Sequence, residues 1–542
     1  MKHDIVIRGG VVIDGSGSPG FEGAVAIDGD RVVGIGSLSG ASGRLEIDAR
    51  GLAVAPGFIN MLSWATESLL VDGRSQSDLR QGVTLEVMGE GSSMGPLTPE
   101  MRETMLVEQG DLRFDVPWTT LGEYLEHLEA RGVSTNVASF VGATTVRVHE
   151  LGRDDRPPTE PELDRMRGLV RAAMAEGALG VGSSLIYAPA FFAGTDELVA
   201  LASEAGVVGG MYISHIRSEG RGLVEGVAEL IDIVRRAHCR AEIYHFKALG
   251  EVGQAQFDDA LELVVGARGA GLAITADVYP YTASATGLDA AMPPWVQEGG
   301  MRAWIDRLID PATRARVIEE MGMPDAGWEN QIALSGGPSG VKLVGFRNDR
   351  LKPLTGMTLQ AIATARGTSP EEAAIDLVIE DESHVSAIYF NQSEDVLRQV
   401  LALPFTSIGS DGASVAPEGA FLHSNPHPRT YGTFARVLAR YVRDEQILDL
   451  AEAVRRMTSL PADNLRLPDR GRLVTGAFAD VVTFDPKRIQ DHATFDAPHQ
   501  YATGVRDVLV NGVPTIRDGE HTGALPGRAI RGPGFLAPAG DC

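Results

Sequence analysis

The chain has 542 residues, 44% of them apolar and 22% charged, and a formal net charge of −25. That length holds a large barrel and a smaller domain together, and the composition is that of an ordinary globular enzyme. The acidic balance excludes a nucleic-acid or anionic-membrane surface, which needs a basic footprint. The two cysteines, Cys239 and Cys542, can build neither a disulfide framework nor a cysteine-based zinc motif.

MKHDIVIRGG at the N-terminus has no apolar signal core. No run reaches the ~20 apolar residues of a membrane span, and a cytoplasmic protein is expected. Residues 1–56 read as part of a small β domain. DIVIRGGVVIDG gives two short strands, and AVAIDGDRVVGIG gives two more around the hairpin signal Asp28-Gly29. From Gly57 to about Leu467 strands alternate with amphipathic helices, the pattern of an α/β fold with an eight-stranded (β/α)8 barrel. Strand candidates are GFINML, GVTLEVMGEG, TNVASFVG, ALGVGSSLIY, the ends of MYISH and AEIYH, LAITADVYPY, HVSAIYFN and PFTSIGSDG. These are nine segments for eight places, so one must be an extra, at the GFINML end or among the later ones.

Residues 290–345 form a less periodic insertion with Pro, Gly and Trp, suited to a lid or to packing decoration. A helix ending at MTSLPADN is expected to stop before Pro461. Residues 468–542 return to strand-and-turn composition, with a second hairpin signal at Asn511-Gly512. The two β-rich ends flank the barrel and are expected to pair into one small β-sandwich.

The chemistry centres on Met211–Gly250. His215 and His245 each end a short apolar run, and between them Leu223, Val227, Leu230, Ile231 and Val234 recur at helical spacing. Strand, helix and strand over this length make a βαβ unit whose strands finish at one edge. The two imidazoles therefore share the catalytic rim, either as metal ligands or as two hydrogen-bonded histidines.

DIVIRGGVVIDGSGSPG, VAPGFI, GALGVGSSLIY, SHIRSEG, YHFKALG, DVYPYTASATGL, IGSDG, HPHPRTYGTFARVL, AVRRMTSLPA and GAFADVVTFDP run in order along the chain. Together they resemble the N-acyl-D-amino-acid deacylase (D-aminoacylase) family of the amidohydrolase superfamily. The resemblance implies that His215 and His245 bind a metal and that Asp411, which alone would read as a turn residue before Gly412, is the general base and acid. It also implies that Lys247 and Arg429 hold a substrate carboxylate, assisted by Tyr279 and Ser284.

Two departures from the family pattern matter. The superfamily's His-x-His pair on the first strand is replaced by Leu62 and Trp64, which bind no metal, so the more exposed of two metal positions should be crippled. The family's cysteine in a Gly-Asn-Cys-Gly turn is missing from Gly89-Glu90-Gly91-Ser92; with a one-residue deletion Glu90 takes its place. A carboxylate is an acceptable zinc ligand. Glu86 is the rival, but it lies ~13 Å deeper along the strand. Glu90, His215 and His245 would hold one Zn²⁺ with an open position for water; manganese, iron or cobalt would suit the same donors.

The resemblance thus implies a metal-dependent hydrolase of linear amides acting on N-acyl-D-amino acids. The expected partner is a small substrate with a free carboxylate, without nucleic acid or membrane; a homo-oligomer is compatible with the sequence. Two alternatives stay open: a cyclic-amide hydrolase (hydantoin, dihydropyrimidine or lactam) and a binding protein that has lost catalysis.

Overall fold

The computed structural model describes residues 2–323 and 327–537, so Cys542 lies outside the described residues. Eight parallel strands form the barrel: β1 (Phe58–Asn60), β2 (Val83–Met88), β3 (Asn136–Ser139 continued by Val141–Gly142), β4 (Gly180–Ser184), β5 (Met211–His215), β6 (Arg240–Ile243), β7 (Ile274–Val278) and β8 (Thr406–Ile408). Parallel ladders run from β1 to β3 and from the second half of β3 through β7 to β8. The barrel closes where Met61 N donates to Ile408 O at 3.3 Å and Ser63 bridges Gly412 in parallel. GFINML is therefore a true barrel strand.

The extra candidate is HVSAIYFN. Ser386–Tyr389 pairs antiparallel with Ser284–Gly287 on one side and Val341–Gly345 on the other. This small sheet belongs to a unit with its own apolar core, which includes Leu288, Trp304, Leu343, Ile375 and Tyr389. Its strands finish beside the rim, where Asn391 O accepts from Gly250 N at 2.8 Å.

The helix Leu223–Ala237 buries Leu223, Val227, Leu230, Ile231 and Val234 against the barrel, as their spacing requires. Removing each such side chain from water stabilises the unit by ~1.5–3 kcal/mol. The helix ends at His238, whose φ of +51° breaks the helical run. The later helix does stop before Pro461. It stops at Met457, the chain kinks at Thr458, and a new helix, Ser459–Leu465, carries Pro461 in its first turn. A first-turn proline costs no intrahelical hydrogen bond, so the position is tolerated.

The two chain ends share one nine-stranded sheet. Ala53–Pro56 pairs antiparallel with Val481–Phe484, which joins the N-terminal strands to the C-terminal ones. Both predicted hairpins form: Asp28 pairs Arg31 across Gly29, and Val510 pairs Val513 across Asn511-Gly512, both at positive φ. The turns abut, since a Cβ on Gly512 would lie 2.0 Å from Gly29 O. Among the described residues no helix is long and apolar enough to cross a membrane. Cys239 is half-buried, and burial pushes its thiol up to about 11.

Candidate active site

The rim is built from the C-terminal ends of β2, β5, β6, β7 and β8. Glu90 sits just past β2 between two glycines at positive φ, 104° for Gly89 and 68° for Gly91. A Cβ on Gly89 would lie 2.4 Å from Phe140 O, and one on Gly91 2.5 Å from the Ser184 Cβ. Only glycines allow the turn to press this close, and that places the Glu90 carboxylate over the barrel mouth.

His215 is the last residue of β5, and His245 follows β6 by two residues. Their rings lie 4.5 Å apart, almost perpendicular at 89°. His245 takes φ +34°, and its amide is held by the buried Asp277 carboxylate at 2.9 Å. Asp411 takes φ +50°. A non-glycine residue at such a φ is a conformation that the surroundings must impose, and both lie in this cluster.

Glu90 Oε1 stands 3.1 Å from His215 Nδ1 and 3.1 Å from His245 Nε2. The ligand atoms of Glu90, His215 and His245 all lie within 4.8 Å of one another. A tetrahedral zinc with bonds of ~2.0–2.1 Å sets its ligands ~3.3 Å apart, so the spacing fits such an ion. The charge balance fits too. Burial would by itself pull His215 down, but the Glu219 and Glu90 carboxylates push it up to about 9. Burial would raise Glu90, yet the hydrogen bonds from the two histidines hold it well below the usual carboxylate range. Such a cluster could hold a cation.

Glu219, in SHIRSEG, carries no expected role from the sequence. It lies behind both imidazoles, 3.0 Å from His245 Nδ1 and 3.4 Å from His215 Nε2. Lys247 Nζ donates to it at 2.5 Å and also lies 2.7 Å from His245 Nδ1. An ammonium so placed repels a metal from the rear nitrogens, which leaves the Glu90 side as the cation's side. The loop holding Glu219 is fixed from the insertion: Glu329 accepts from Ser218 Oγ at 2.6 Å and from the Glu219 and Gly220 amides at 2.5 Å each. Ligand-supporting carboxylates of this kind fix imidazole orientation.

Asp411 faces the cluster from β8. Arg429 Nη1 lies 2.7 Å from its Oδ2. Burial raises the Asp411 carboxyl above its ordinary range; the Arg429 guanidinium opposes this, and the Glu90 charge adds to it. Arg429 Nη2 donates to Ala285 O at 3.4 Å, while its buried Nε has no partner among the described residues. His427 fixes the Arg429 loop, accepting from Arg429 N at Nδ1 (3.0 Å) and donating from Nε2 to Ala283 O (3.0 Å). The Arg429 guanidinium lies over Tyr279, 4.6 Å from the ring centroid. The Tyr279 hydroxyl accepts from Gln392 Nε2 at 2.8 Å, and Ser284 donates to Asn391 Oδ1 at 3.2 Å.

Glu86 stands apart from this group. It is fully buried and accepts from Ser63 Oγ at 2.6 Å, near the carboxylate of Asp78. Leu62 is buried, and its side chain is apolar. The Trp64 indole, by contrast, donates to Glu90 Oε2 at 2.9 Å and Asp411 Oδ1 at 3.0 Å.

The comparisons agree with this architecture. A model described as "Amidohydrolase family" matches residues 358–516. From Alcaligenes xylosoxydans xylosoxydans, a D-aminoacylase is 33% identical over 98% of both chains. An N-acyl-D-aspartate deacylase of that organism is 32% identical over 99% of this chain and 96% of its own, and an N-acyl-D-glutamate deacylase is 32% identical over 99% and 98%. The structure of N-acyl-D-glutamate deacylase from Bordetella bronchiseptica, complexed with zinc and a phosphonate mimic of the tetrahedral intermediate, superposes with a TM-score of 0.81 at 29% identity, covering 98% of this chain and all of its own. A D-aminoacylase structure described by one-metal activation and second-metal attenuation of a binuclear centre gives 0.81 at 32% identity, with the same coverage. A barrel whose rim gathers two histidines, a carboxylate and a β8 aspartate, matched along nearly its whole length by these relatives, is a member of the N-acyl-D-amino-acid deacylase family of amidohydrolases.

Proposed function

We propose that this protein is a metal-dependent hydrolase that removes the acyl group from N-acyl-D-amino acids. The observation that carries the reading is the compact set Glu90, His215 and His245 with Asp411 beside it. A divalent metal held by those three residues, zinc as in the Bordetella relative, would supply a Lewis acid that polarises the acyl carbonyl and acidifies the attacking water.

Asp411 moves the proton. Its carboxylate takes the proton from the attacking water, a step that its raised pKa favours by strengthening it as a base, and then gives that proton to the leaving amine. Arg429 presents a buried, unengaged Nε to the substrate's α-carboxylate. Lys247 donates to Glu219 and the His245 ring, so its part in carboxylate binding is the pull of its charge. Tyr279 and Ser284 border the same end of the cleft, each already hydrogen-bonded to the segment Asn391–Gln392. The reading places the enzyme in the cytoplasm, with a small carboxylate-bearing molecule as its partner.

The test is a panel of N-acyl-D- and N-acyl-L-amino acids, with neutral, aspartyl and glutamyl side chains, beside hydantoin and dihydropyrimidine. Turnover of N-acyl-D-amino acids alone supports the proposal. Turnover confined to the cyclic amides contradicts it.

A further inference from the structure

The indole of Trp64 joins two carboxylates of the rim. Its one N–H lies 2.9 Å from Glu90 Oε2 and 3.0 Å from Asp411 Oδ1. The position is held by the barrel closure: Trp64 N donates to Gly412 O at 3.0 Å, and Asp411 N donates to Leu62 O at 2.8 Å. Indole N–H is donor only and carries no lone pair for a metal. Glu90 then has Oε1 toward the histidines and Oε2 toward the indole. Asp411 has Oδ2 toward Arg429 and Oδ1 toward the indole. Two buried carboxylates at this distance repel, and a positive group between them relieves the repulsion. A cation is one solution, and a shared N–H is another.

Resting on the reading of the site as a metal-dependent deacylase, we propose that Trp64 is a positioning residue. Its N–H stands where a second cation would bridge Glu90 and Asp411, aims Asp411 Oδ1 at the reacting centre, and limits the enzyme to one metal per chain. Trp64 as a whole is 42% exposed, so it can do this without being a core residue. In the similar D-aminoacylase, a second metal attenuates activity; this chain should be insensitive to that effect.

The test counts zinc per chain in the metal-stripped and reloaded full-length protein, at one and at ten equivalents of zinc, for wild type, Trp64→Phe and Trp64→His. It is paired with ¹⁵N-indole spectra of tryptophan-labelled protein. We expect one tight zinc in wild type at both doses, with turnover unchanged by the excess. The Trp64 indole proton, identified by its loss in Trp64→Phe, should exchange with water more slowly than free indole. Trp64→Phe should keep its first zinc and its KM while kcat falls about 10-fold or more, the scale of losing a group that supports the site. Trp64→His, which restores a ligand-type nitrogen, should take more than one zinc under excess. Two zincs in wild type, a freely exchanging Trp64 proton or an undiminished kcat in Trp64→Phe would each overturn the proposal. No zinc in wild type would instead overturn the functional reading beneath it.

Discussion

The two sides of the active site are built on opposite principles. On the β5–β6 side, carboxylates alternate with nitrogen groups in a buried chain: Glu90, the two imidazoles, Glu219 and Lys247. On the β1–β8 side, an apolar side chain and a single neutral donor, Leu62 and Trp64, face Asp411 and its Arg429 partner. On the proposed reading the first side is the one that would hold a cation. The second, on that reading the proton-handling side, holds a carboxylate in place with one hydrogen-bond donor and one guanidinium. On the proposed reading metal retention and proton transfer fall to different strands, and each should be breakable without the other.

The most damaging single change on the proton-handling side is Asp411→Asn. It keeps the shape but removes the base, so kcat should fall ~10²–10⁴-fold while the metal content stays at the wild-type level. Full activity, or loss of metal, would erase the division between the two sides. Glu219→Gln breaks the cage from behind. It leaves Lys247 as a buried ammonium without its carboxylate, which costs about 3–5 kcal/mol where a buried pair is split. Metal affinity or activity should drop ~10–100-fold, read by metal titration and by urea unfolding. An unaltered metal affinity would show that the carboxylate does not support the histidines.

The smallest expected effect is in the pH profile. Asp411 must be ionised to accept a proton, and burial raises its pKa above the ordinary aspartate range. Activity is therefore lost as pH falls through that raised value, and the acid limb of kcat/KM should lie above 3.8, the ordinary aspartate value. Arg429 opposes the rise, so Arg429→Gln should move the limb to higher pH and also raise KM for carboxylate-bearing substrates. A limb that stays put, or moves down, would take Asp411 out of the proton-transfer role.

Much of this was legible before the structure. The strand–helix–strand spacing from His215 to His245 places both rings on one rim, because a crossover returns each strand to the same edge. The glycines flanking Glu90 mark a turn that could lift a carboxylate, and the Asn511-Gly512 and Asp28-Gly29 hairpins follow from local φ requirements alone. What was not legible depends on contacts between distant segments. Glu219 becomes a support for the histidines only because Glu329, from the insertion, clamps its loop. Trp64 reads as a lost ligand in the sequence; its N–H acquires two acceptors only when β1 closes against β8. Ser386–Tyr389 has the apolar run of a barrel strand, and nothing within the run tells that its partners are Ser284–Gly287 and Val341–Gly345. The resemblance makes Lys247 a substrate contact, and the depth at which its ammonium meets Glu219 is a matter of packing that spacing does not encode.

The measurement that bears most directly on the whole account is metal content per chain, by elemental analysis of protein purified without added metal, for wild type beside Glu90→Ala and His215→Ala. One divalent metal in wild type, lost from both variants, is the result predicted by a centre made of Glu90, His215 and His245. A wild-type protein that stays metal-free after reconstitution, or a Glu90→Ala variant that keeps its metal, would contradict it.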